Sequence, residues 1–186
     1  MNNSDRDEYL LKLQKTQIDF YKTHAKKNIF KQAQKTECAT YVTTSGRIED
    51  LIECTAFIVP NTNILFFDYP VFKTYGNPET SKPLYVHIIK IIETILTTYD
   101  TFEFHINLKT FSVSAGHRYY TMIVGSVETN QIFTDKLSKL VIYNTPFIID
   151  QITRLLYNSV KTFLHKTEYV KEKSEERISQ LFKDVV

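Results

Sequence analysis

The sequence has no tryptophan, four glycines and two cysteines in 186 residues, and its 23 basic side chains nearly balance its 21 acidic ones, leaving a formal charge of +2. The glycines, Gly46, Gly76, Gly116 and Gly125, lie too far apart to build a phosphate-cradling loop or a dinucleotide fingerprint. Both motifs need closely spaced glycines so that backbone amides can approach the phosphate. Cys38 and Cys54 supply neither a disulfide framework nor zinc spacing, which favours a reducing compartment. Near-neutrality removes the whole-molecule field that would gather nucleic acid or an acidic partner, and argues against nucleic acid as a ligand. No apolar run approaches the roughly 18 residues of a membrane-crossing helix. The opening "MNNSDRDEYL" is polar and acidic, unlike a secretory signal. These absences lead us to expect a cytoplasmic chain.

What is abundant is greasy bulk: 42% hydrophobic residues, with 13 Phe and 12 Tyr. A chain of this length buries roughly 70% of its extended surface, enough for one real core. The excess of Lys, Ile, Asn, Thr and Tyr is what an AT-rich genome encodes, as in protists and large DNA viruses. Periodicity orders the chain. Ser4 caps a helix with acidic residues in its first turn, predicted to run to about residue 36 with a narrow apolar stripe. "CATYVTT" reads as a short strand, Ile48, Leu51 and Ile52 as a short amphipathic helix, and "NILFFDYP" as a buried strand. "TYGNPETSKP" reads as a surface loop. Leu84, Ile88, Ile91, Ile92 and Ile95 then recur at helical spacing.

In "TFEFHINLKTF", Phe102, Phe104, Ile106 and Leu108 alternate with Glu103, His105, Asn107 and Lys109, so this strand has one greasy and one polar face. A helix from Ser114, the strand "KLVIYN", a helix over 147–163 capped by Thr145 with Pro146 first, the short strand "TEYV" and a last helix from Ser174 come after it. The alternation predicts an α/β fold: a mostly parallel sheet of four to six strands with helices on both faces and the N-terminal helix packed on it. We divide the chain into a helical segment, 1–61, and an α/β domain, 62–186.

Chemistry-bearing residues are few. Glu103, His105 and Asn107 share one strand face and would orient a base, but no nucleophile motif such as Gly-x-Ser-x-Gly accompanies them. A half-exposed strand accounts for them equally well, and we expect no catalytic residue. The five histidines lack metal-ligand spacing, so neither a metal nor another cofactor is expected. Gly116, His117 and Arg118, placed at a helix start, would offer backbone donors and a guanidinium to an anionic headgroup. Lys22, Lys26, Lys27, Lys31 and Lys35 form a basic face on the first helix, suited to peripheral contact with an anionic membrane, although a solvated face needs no partner.

The succession "LYVHIIKIIETILTTYDTFEFHINLKTF", then a helix, then "DKLSKLVIYNTPFIIDQITRLLYNSVKTFLHKTEYV" resembles the CRAL-TRIO lipid-binding domain, above all its divided form. The matching pieces are residues 104–109, 140–146 and 166–170. The resemblance implies a non-enzymatic module holding a lipid or other apolar ligand between the sheet and a gate helix. That helix corresponds by position to residues 147–163, and Phe102, Phe104, Ile106, Ile148, Ile152 and Leu156 would line the cavity. The same side chains would also fill an ordinary solid core. The fold would then act as a protein-interaction module, with a protein partner or a homo-oligomer in place of the lipid.

Overall fold

The structure is a computed structural model that describes residues 3–24, 31–119, 131–155, 157 and 161–183. Its centre is a five-stranded sheet: β1 Ala56–Ile58, β2 Ile64–Asp68, β3 Phe102–Asn107, β4 Leu137–Tyr143 and β5 Thr167–Tyr169. Spatial order equals chain order; β2 to β5 are parallel and β1 is antiparallel to β2. The chain is therefore α/β with a mostly parallel sheet. Because the strand order never reverses, every parallel crossover steps the same way. Right-handed crossovers then deliver their helices to one face. The second face is left to the C-terminal helix, while the helices at the N-terminal end add Leu13 and Val42 to the crossover-face core.

The cores obey this division. On the crossover face a large cluster joins Leu65 of β2 and Phe102 of β3 to buried residues of the helices α3 (Ile48–Thr55), α4 (Tyr69–Tyr75) and α5 (Pro78–Leu96). On the other face Val59, Phe66, Val141, Tyr143 and Val170 form a smaller cluster, packed by Ile178, Leu181 and Phe182 of the last helix, Ser174–Lys183. The hydrophobic periods of β3, β4 and the last helix place these residues as expected.

The N-terminal helix α1 spans Asn3–Thr23 and does not continue to residue 36. The hydroxyl of Thr23 turns back to the Asp19 and Phe20 carbonyls, and the His24 ring stacks on Phe20 at 4.4 Å, closing the last turn. A separate helix, α2, occupies Lys31–Ser45 and takes in "CATYVTT", which reads locally as a strand. Burial of Cys38, Ala39 and Val42 at helical spacing overrides the β-branched preference of that stretch. Leu13 and Phe20 of α1 are buried, so this segment is packed on the domain. It also contributes a strand: β1 pairs with β2 across residue 61, where Asn61 takes φ 59° in the connecting turn.

The predicted surface loop at 74–83 is largely helix, since α5 begins at Pro78. Asn77 accepts from the Thr80 amide at 3.0 Å while the Thr80 hydroxyl accepts from the Asn77 amide at 3.0 Å, a reciprocal cap that is itself buried. Asn-Pro is a turn signal and equally a cap followed by a first helical residue, and burial selects the second. Pro83 is carried inside the helix because Leu84, Ile91, Ile92 and Ile95 anchor the turns C-terminal to it. Upstream, α4 stops at Gly76, where a Cβ would lie 2.8 Å from the Phe72 ring.

Candidate functional site

The crossover face is not closed evenly. Phe102 is wholly buried, and the register shifts between Phe102 and Glu103. Beyond that point Phe104 pairs with Leu65 and Leu140, and Ile106 pairs with Phe67 and Ile142. Phe67, Phe104, Ile106 and Leu140 are only half-buried, although they belong to the inner strands β2, β3 and β4. The Phe67 and Phe104 rings meet edge to face at 6.5 Å. Together they form an apolar strip in the middle of the sheet that keeps contact with solvent.

The expected cavity lining thus divides. Phe102 belongs to the solid core, Phe104 and Ile106 to the strip, and Ile148 is half-buried. The side chains of Ile152 and Leu156 lie outside the described residues. The helix expected from residue 147 begins at Ile149 and is described to Leu155; we call it α6. Thr145 does not cap it. Its hydroxyl donates to the carbonyls of Ile142 and Val170, and Asn144 takes φ 49°, so the chain stays bound to β4 and the end of β5 up to Pro146. Phe147 is left 97% exposed.

The second face carries the polar residues of β3, and two networks divide them. At the carboxyl ends of the strands Arg6 pairs with Asp68, Asn107 donates to Asp68 at 3.0 Å, and Asn144 donates to Asn107 at 2.9 Å. Lys109 and Asn144 both reach Glu175 of the last helix, α7 (Ser174–Lys183). Burial pushes the Asp68 carboxyl above its usual value, outweighing Arg6 and the bond from Asn107.

In the middle of the sheet His105 is buried, with Nδ1 bonded to the Tyr143 hydroxyl and Nε2 to Glu103, each at 2.9 Å. Arg177 lies 5.9 Å over the Tyr143 ring and pairs with Glu168, which also meets Lys139 at 2.6 Å. These two cations hold the Glu168 carboxyl down at about 2. Sequence parity brings Glu103, His105 and Asn107 to one face, as expected, but the register sends His105 and Asn107 to different networks. Sequence reasoning misses Tyr143 as the partner of His105; alternation along β4 puts it on the same face, and only strand pairing sets it beside the ring.

Both ring nitrogens of His105 are engaged, and burial pushes the Tyr143 phenol up to about 12, so the phenol stays protonated at neutral pH. Burial also lowers the His105 pKa, against the opposing pull of Glu103. The folded chain then binds fewer protons at His105 than the unfolded chain. The stability His105 contributes is complete above its unfolded value of 6.5 and is lost as pH falls below it. Urea denaturation at pH 7.5 and pH 5 should show the wild type losing stability on acidification and His105→Gln losing less; equal losses would contradict this.

The other expected sites are only partly assembled. Gly116, His117 and Arg118 lie within a helical segment over 113–119 rather than at its start, and the Gly116 amide already donates to the Ser112 carbonyl at 2.9 Å. The expected backbone donor is therefore occupied. His117 is exposed, and the Arg118 guanidinium lies 5.6 Å over the Tyr119 ring. Lys22 pairs with Asp19 at the end of α1, Lys31 opens α2, and Lys26 and Lys27 lie outside the described residues. The break at Thr23 means that Lys22 and Lys31 do not share one helix face. Among the described residues no cluster of His, Cys, Asp or Glu could hold a metal ion, and no helix is long and apolar enough to cross a membrane. No protein-family model, no curated protein and no solved structure matches the chain.

Proposed function

We propose that this chain is a non-enzymatic binding module that holds an apolar ligand, lipid-like or sterol-sized, on the crossover face of its sheet. The observation that carries this is the half-open strip of Phe67, Phe104, Ile106 and Leu140 on the inner strands. Inner strands of a parallel sheet are ordinarily covered on both faces, and leaving apolar area wet forgoes about 25 cal/mol per Å². A ligand that covers the strip recovers that free energy. Phe104 and Ile106 are also two of the residues that the CRAL-TRIO resemblance assigns to a cavity wall.

The test uses dansyl-undecanoic acid as a fluorescent probe. Saturable binding at one site per chain is expected, with a dissociation constant in the micromolar range, on the order of −8 kcal/mol. Ile106→Phe and Leu140→Phe, which fill the strip with similar chemistry, should each weaken binding at least about tenfold, a change of roughly 1.4 kcal/mol. Unchanged circular dichroism would verify folding. Absence of saturable binding, or variants that bind as the wild type does, would overturn the proposal.

A further inference from the structure

The outer side of the helical layer has a groove of about 510 Å³ between α3 and α5. Its floor is apolar, made by Ile52, Pro83 and Val86, and Val86 is 44% exposed. The two walls have opposite charge. Glu49 and Glu53, one turn apart, stand on α3, while Lys82 and Lys90, two turns apart, stand on α5. Glu53, Lys82 and Lys90 make no ion pair among the described residues, and Glu49 is 4.0 Å from Arg47 of its own segment.

We infer that this groove is the interface of a homodimer, with a second copy of the chain as its occupant. An acidic wall and a basic wall flanking an apolar strip form a self-complementary surface. A two-fold axis through the middle of the strip places each α3 against the partner's α5, so Glu53 of each copy meets the lysines of the other. It also lays the two Val86 side chains together at the centre. Closed isologous pairing of this kind is the commonest oligomeric arrangement. A strongly basic or acidic peptide would match one wall and be repelled by the other. The interface uses the outward side of α5, opposite its buried Leu84 and Ile92, and is independent of the apolar strip on the sheet.

Sedimentation equilibrium of the full chain tests this. The wild type should sediment as a dimer in the micromolar range. Glu53→Lys and Lys90→Glu should each weaken dimerisation at least about tenfold by setting like charges face to face. The double variant Glu53→Lys/Lys90→Glu exchanges one charge between the two walls, returns opposite charges to positions 53 and 90, and should restore the dimer. Both positions are exposed, so folding is expected to be unaffected, and circular dichroism checks it. A wild-type monomer at 100 μM and below, or singles that dimerise as the wild type does, would overturn the inference. Failure of the double variant to recover would overturn it as well.

Discussion

Phe102→Ala should lower the free energy of unfolding by about 3–5 kcal/mol, the range for truncating a fully buried phenylalanine. Phe102 has no exposed surface and opens β3 at the centre of the larger core, so its removal leaves a void that rigid neighbours on β4 and α5 cannot fill. Phe104→Ala, two residues along the same strand face, should destabilise by distinctly less, because its ring is only half-buried at the start. The contrast is informative beyond stability. If Phe104 lines a ligand site, Phe104→Ala should weaken binding of the dansyl probe while Phe102→Ala, once folded, binds it normally. Urea titrations with an unchanged slope give the two free energies directly. A larger loss for Phe104 than for Phe102 would mean that the strip is closed core, and the ligand proposal would fall with it.

Asp68→Ala should be the most damaging polar substitution, at about 2–4 kcal/mol. Removing one partner from a buried ion pair ordinarily costs about 3–5 kcal/mol, because the other charge is left without compensation. Here the Arg6 and Asp68 side chains keep 21% and 13% of their exposure, which moderates the loss. Asp68 also accepts from Asn107, so the change strands a buried amide as well as a guanidinium. The pair is a tether: Arg6 belongs to α1, lies 5.1 Å over the Phe57 ring of β1, and reaches the carboxyl end of β2. A double-mutant cycle with Arg6→Ala should give a coupling energy of about 1–3 kcal/mol, as for contacting charges in one network. Additive losses would show that the Arg6–Asp68 pair does not tether α1, leaving that task to its apolar contacts.

Much of the layer order is written in local pattern. The alternation in "TFEFHINLKTF" marks the two faces of β3, and four apolar positions in succession mark β4 as a strand covered on both sides. Where local pattern misleads, burial decides otherwise. "CATYVTT" carries β-branched residues yet forms the end of α2, since Cys38, Ala39 and Val42 face inward only on a helix. "GNPET" looks like a loop until Thr80 is seen bonded reciprocally to Asn77. The strand β1 has three residues and gains its identity only by pairing with β2.

The candidate site is less legible than the fold. That Phe104 and Ile106 share a greasy face is a consequence of period two, but their partial exposure depends on how far the helices reach across the sheet. The groove between α3 and α5 leaves no trace in the sequence at all. Glu53 and Lys90 are ordinary surface charges until two helices distant in the chain set them on opposite walls.

By itself the sequence determined an α/β chain with a mostly parallel sheet, since strand and helix periods are local properties of neighbouring residues. It also determined which side chains share a face of β3, because alternation is fixed by backbone geometry. Only the tertiary structure decided that His105 meets Tyr143, that Arg6 reaches Asp68 and that one apolar strip stays half-open. Each of these depends on register or on the reach of a distant helix, and such quantities are set by the packing of the whole chain.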